Sequence, residues 1–189
     1  KNIKIDHIFT IVSPGFHEKE SITSRDLIGN TVHHKGQGTS AEFIPFEENY
    51  LEFIWLSNNS DAQSNDLHLF ERFSANQCPF GIAFRGKIDE KHCKDFNIYQ
   101  PSYLKSGRIL DHKSQTNEFN IPMYFIVDQD KKRDDYYPKN MNTFSENRIL
   151  KGKIEKVILH TPCPNPINDF FPRVEQVKSN YWKLEIVGL

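Results

Sequence analysis

The chain has 189 residues, 37% of them hydrophobic and 26% charged, enough for one large soluble domain whose core needs no disulfide staples. Its 24 Lys and Arg stand against 25 Asp and Glu, so it lacks the positive field of a dedicated nucleic-acid binder. Three widely spaced Cys exclude a disulfide scaffold, and the apolar runs fall short of the ~18 residues of a membrane span.

Ile3, Ile5, His7, Phe9 and Ile11 alternate with Lys4, Asp6 and Thr10, the period of a strand, and Ser13-Pro14-Gly15 ends it. Residues 17–28 read as a short helix or an irregular crossover. Thr31–His34 is a short strand before the loop Gly36-Gln37-Gly38. Ala41–Phe46 and Tyr50–Leu56 form a hairpin through Glu47-Glu48-Asn49. Residues 57–66 are a polar connector, and Leu67, Phe70 and Phe73 have helical spacing. Phe80–Arg85 is a strand, and Asp89–Phe96 a helix capped by Asp89. Residues 107–120 hold two weak strands, and Ile121–Val127 is a strong one. A charged loop fills 128–150. Ile154–His160 reads as a strand, Ile167–Val177 as a short helix despite Pro172, and Tyr181–Val187 as a last strand.

The two halves repeat. His7-Ile8-Phe9 overlies Gly81-Ile82-Ala83 at an offset of 74, and Tyr50–Ile54 overlies Pro122–Ile126 at 72. The expectation is an α+β domain of two βαβββ modules, 3–56 and 79–127, curving around a cleft. A partial third β-α-β unit follows at 153–187.

Ile5-Asp6-His7-Ile8, then His34 with Gly36-Gln37-Gly38-Thr39, then Tyr50-Leu51-Glu52-Phe53-Ile54 resembles the glyoxalase-like domains of the vicinal oxygen chelate superfamily. Ile121-Pro122-Met123-Tyr124-Phe125-Ile126 is similar to that group's Pro-Phe-Phe-Ile run. The resemblance implies paired modules around a cleft that often holds a divalent metal. Family activities range from lyases and isomerases to metal-free drug-binding proteins, so the fold does not choose the chemistry.

Within that resemblance His7 and Glu52 are the metal ligands of module one, and His34 is a cleft acid or base. Read without it, His7 is a core histidine and Glu52 lies on the solvated face of a half-exposed strand. Period two sends Glu52 and Ile54 to one side and Leu51, Phe53 and Trp55 to the other, which sets Glu52 toward the cleft if that side is the inner one. His33 and His34 are neighbours and point to opposite faces. The module-two ligand positions fall on Gly81 and Tyr124, neither a ready ligand. The alternative, Glu185 with Lys156 in place of a histidine, is no better. A divalent metal (Zn, Ni, Mn or Fe) is therefore expected to be weakly held by His7, Glu52 and a residue such as His34, or to be absent.

Other patterns fail. Asp128-x-Asp130 has Arg133 where a calcium loop needs Gly, and Cys78 and Cys93 lack zinc-site spacing. Two readings stand: a metal-assisted lyase or isomerase acting on a small oxygen-bearing substrate, with Glu52 and His34 catalytic, or a metal-free small-molecule-binding protein. The expected partner is a small-molecule ligand, with a homodimer as the assembly allowed for and neither nucleic acid nor membrane involved. No leader pattern opens the sequence, so the expected location is cytoplasmic.

Overall fold

The computed structural model describes residues 3–21, 31–102, 104, 107–128, 149–164 and 170–189. Strand β1 (Lys4–Ile11) is followed by a 3-10 turn at His17–Ser21, then β2 (Val32–His34), β3 (Thr39–Pro45) and β4 (Tyr50–Leu56). Two short helices, α1 (Asn59–Gln63) and α2 (Leu69–Ser74), link this half to the next. The second half runs β5 (Phe80–Arg85), α3 (Glu90–Cys93), β6 (Phe96–Tyr99), β7 (Arg108–His112) and β8 (Met123–Asp128). The last part is β9 (Lys156–Thr161), β10 (Val174–Lys178) and β11 (Lys183–Val187).

The first eight strands make one curved mixed sheet in the order β2-β3-β4-β1-β5-β8-β7-β6. Each half has the same plan. The first strand pairs parallel with the fourth, and the third and second add antiparallel. β1 and β5 meet antiparallel at the centre, so the halves are related by a pseudo-two-fold axis through this seam. This is the α+β architecture that the alternating pattern foretells.

The sheet's two faces have different covers. On the outer face Ile5, Ile8, Trp55, Ile82, Phe84, Tyr124 and Ile126 pack with Ile154, Val157 and Phe171 of the C-terminal part. That part is a separate three-stranded sheet, β10-β9-β11. Phe171 lies between Phe84 and Tyr124, with ring centroids at 4.8 and 5.2 Å. On the inner face Phe9, Ala41, Phe43, Ile54, Met123 and Phe125 pack with Leu67 and Leu69 of the linker. Asn65 of the linker donates to Gly36 O at 3.2 Å and to Tyr99 Oη at 2.7 Å, tying loop 35–38 beside β2 to β6 at the far edge.

Some elements differ from the sequence reading. Val174–Lys178 is a strand, not the end of a helix: Val174 faces the core and Val177 is exposed, which the sheet requires and Pro172 does not obstruct. Residues 165–169, the start of that expected helix, lie outside the described residues, as do 22–28 and 129–148. The expected helix at 89–96 stops at Cys93, and Phe96 opens a strand instead. The polar connector contains α1, whose N-cap Asn58 accepts from Asp61 N.

Candidate functional site

The site is built on the inner face by the register of β1, β4, β3 and β2. Parallel pairing sets His7 beside Tyr50 and Phe9 beside Glu52. Antiparallel pairing sets Phe43 beside Glu52 and His34 beside Thr39. All of these share one face, since side chains alternate with period two. Trp55 goes to the outer core, while Glu52 and Ile54 face inward.

His7 and Glu52 are buried, and both lie in one row with His34. His7 Nε2 is 3.4 Å from Glu52 Oε2, and His34 Nε2 is 3.5 Å from Glu52 Oε1. His33, one residue before, is exposed on the opposite face with Nδ1 on Ser40 Oγ. The His7 ring stacks on Tyr50 at 4.6 Å and meets the edge of Phe125 at 5.5 Å. These rings close off water and fix the imidazole plane.

Four further residues, Asp6, Arg85, Gln37 and Thr39, hold the row in place. The β1–β5 register shifts between Ile5 and His7, and this irregularity brings Asp6 to its neighbour's ring. Asp6 Oδ1 lies 2.7 Å from His7 Nδ1, and Arg85 donates to Asp6 Oδ2. At the other end Gln37 Nε2 donates to Thr39 Oγ1 at 3.1 Å, and Thr39 Oγ1 is 2.8 Å from His34 Nδ1. Burial holds His34 below the usual imidazole range; the Glu52 charge opposes this, and His7 and His33 add to it. A neutral His34 that takes the Thr39 proton at Nδ1 turns Nε2–H toward Glu52.

The module-two positions do not complete a metal site. Pairing places Gly81 beside Met123 and Ala83 beside Phe125. With His7 laid on Gly81, Glu52 therefore falls on Phe125, one residue later than the sequence overlay suggests. A slip of one residue reverses the face. Tyr124 is in the outer core, stacked on Phe171, its hydroxyl held above the usual phenol range by burial. Gly81 has no room for a side chain: a Cβ there would meet the Phe9 ring at 2.0 Å. Among the described residues no group of three or more His, Cys, Asp or Glu is arranged to hold a metal ion. The four-ligand set that the family resemblance implies is thus not present in these side chains. Glu185 belongs to the C-terminal sheet, 3.1 Å from His160 and away from this row, and Lys156 pairs with Glu175.

The glycine loop has a structural task. Gly36 and Gly38 both have φ of +76°. A Cβ on Gly38 would fall 2.3 Å from Asn58 O and 2.4 Å from Ala62 N, so the close approach it permits is to α1.

No protein-family model matches this chain, and no curated protein does. Solved structures do. A hypothetical protein from Staphylococcus aureus superposes with a TM-score of 0.55 at 17% identity, over 85% of this chain and 70% of that one. A hypothetical protein from Bacillus halodurans gives 0.48 at 12% identity, over 70% of this chain and 98% of that one. A methylmalonyl-CoA epimerase from Mycobacterium tuberculosis gives 0.41 at 13% identity, over 70% and 91%. At these identities the likeness is one of fold. No helix among the described residues is long and apolar enough to cross a membrane.

Proposed function

We propose that this chain is a glyoxalase-like protein of the vicinal oxygen chelate type that takes a small oxygen-bearing molecule against His7, Glu52 and His34. The observation that carries the reading is the buried carboxylate of Glu52 between two imidazole Nε2 atoms at 3.4 and 3.5 Å. A buried carboxylate needs donors; His34 Nε2–H faces this one, and the imidazole on each side can pass a proton. Aromatic walls from Tyr50, Phe125 and Phe43 supply the apolar contact of a ligand site. Glu52 is the base of this site, His7 the group that shares its proton, and His34 the donor at its rim. The chemistry these groups support is proton exchange with a carbon acid next to a carbonyl, the step of an isomerase or lyase.

The binding-only alternative has its own support, since module two presents Ala83, Met123 and Phe125 rather than reactive groups. The two separate in one experiment. The protein is incubated in deuterated water with pyruvate, glycolate and lactate as probes, and both line broadening and loss of C–H signal are followed by NMR. Broadening with deuterium incorporation, each reduced at least about tenfold in Glu52→Gln, supports the proton-transfer reading. Broadening without incorporation leaves the binding protein. Equal behaviour of wild type and Glu52→Gln removes the site. Elemental analysis of the purified protein is expected to give well under one metal per chain.

A further inference from the structure

We infer that the second module acts on this site through Arg85, which sets Asp6 as the positioning residue of His7; the inference rests on the reading of His7 and Glu52 as the reactive row. Successive residues of a strand normally face opposite ways, yet Asp6 and His7 are hydrogen-bonded to each other at 2.7 Å. The register shift between Ile5 and His7 makes this geometry available. Asp6 is 2% exposed, so its carboxylate needs strong partners, and it has two from different modules. One is the His7 ring on β1. The other is the Arg85 guanidinium on β5, which pairs with the second carboxylate oxygen.

An ionised carboxylate only accepts, and Arg85 keeps it ionised by charge and geometry. His7 Nδ1 must then carry the hydrogen. The tautomer is fixed, and Nε2 is aimed at Glu52 with its lone pair or a shared proton. Tyr50 stacking at an interplanar angle of 8° fixes the ring plane, and the Asp6 contact at Nδ1 selects between the two flips that keep it. The family's module-two ligand positions are empty of ligands here, and the module contributes an orienting charge instead.

The test needs no ligand. Long-range proton–nitrogen NMR on the labelled full chain reads which ring nitrogen of His7 is protonated. Wild type is expected to show a protonated Nδ1. In Asp6→Asn the amide oxygen stays on Arg85 and the amide NH2 faces Nδ1, so His7 is expected to switch to the Nε2–H form. Adding Arg85→Met frees the amide to turn, and the switch should be relieved to a mixture. Thermal melting and the remaining amide spectrum report folding of each variant. A wild-type His7 with unprotonated Nδ1 overturns the inference even if both variants fail to fold. So does an unchanged pattern in folded Asp6→Asn, and equal inversion in the single and double variants removes Arg85 from it. Failure of the probes to bind would count against the proposed function and leave this reading of His7 intact.

Discussion

At the scale of the residue, buried polar side chains decide the most. Asn49, 3% exposed, is a staple between two distant parts of the chain: its Nδ2 donates to Ile154 O at 2.9 Å and its Oδ1 accepts from Ile154 N at 2.8 Å. Removing it leaves both backbone groups of a buried residue without partners. Asn49→Ala is expected to cost roughly 2–4 kcal/mol, measured by urea unfolding, and a loss under ~0.5 kcal/mol would show that water replaces it freely. Asp111 gives a pH signature. Burial raises its carboxyl above the usual range, while hydrogen bonds from Gln115 and Asn97 and the Arg72 charge work the other way. The folded state therefore holds this proton to higher pH than the unfolded chain. Its contribution to stability is full below the unfolded value of ~3.9 and is lost as pH rises through the folded value. Asp111→Asn removes that loss. Its melting temperature relative to wild type should rise between pH 4 and pH 7, and a constant difference would refute the assignment. The residue scale is also where the sequence was least legible. Period two separates Glu52 from Leu51 and Phe53, and His33 from His34, but the family resemblance was needed to set His7, His34 and Glu52 on one face. Asp6 and Arg85 could not be placed beside them, because a register irregularity between β1 and β5 leaves no mark in the pattern of apolar residues.

At the scale of the element, the seam between β1 and β5 is the tightest fit in the fold. Gly81 pairs with Phe9, and the Phe9 ring occupies the space a Cβ would need, at 2.0–2.5 Å from three ring atoms. Phe9 is 3% exposed and has nowhere to retreat. Gly81→Ala is expected to destabilise by about 1–3 kcal/mol. Phe9→Leu in the same chain should recover part of that loss, a coupling that a double-mutant cycle measures. Additive effects would mean that the ring yields without cost. Most strands of the main sheet were readable in the sequence because inner and outer faces both carry apolar cores, which leaves strong apolar runs. Other parts were not. Residues 107–120 read as two strands but hold one, Arg108–His112, before a 3-10 turn at Lys113–Gln115, and Phe96–Tyr99 is a strand where a helix end was read. The aromatic overlay places Tyr124 where the ladder places Phe125, since the modules differ by one residue between first and last strands and not by the two that offsets of 74 and 72 imply. And Ile167–Val177 read as a helix because a strand buried on one side only, with Val174 in and Glu175 out, is too short to announce its period.

At the scale of the whole molecule, the C-terminal sheet is a large cover of the main sheet's outer face among the described residues. Ile154, Val157, Leu159 and Phe171 are each at most 2% exposed. Burying four such side chains is worth on the order of 6–12 kcal/mol as an upper estimate, as large as the whole stability of an ordinary domain. The cover is also locked at its hinge: Leu150 N donates to Pro45 O at 2.9 Å, Glu47 N donates to Gly152 O at 3.0 Å, and Asn49 holds Ile154. The two sheets should therefore unfold together. A chain ended after Gly152 would expose Phe84, Tyr124 and Ile126, which are fully buried now. It is expected to lose cooperative melting, to bind a hydrophobic dye and to aggregate. Phe171→Ala in the full chain removes only the ring between Phe84 and Tyr124, and should cost about 3–5 kcal/mol while keeping one transition. If the shortened chain melts cooperatively at the temperature of the full one, the C-terminal sheet is an independent appendage and the outer core does not depend on it.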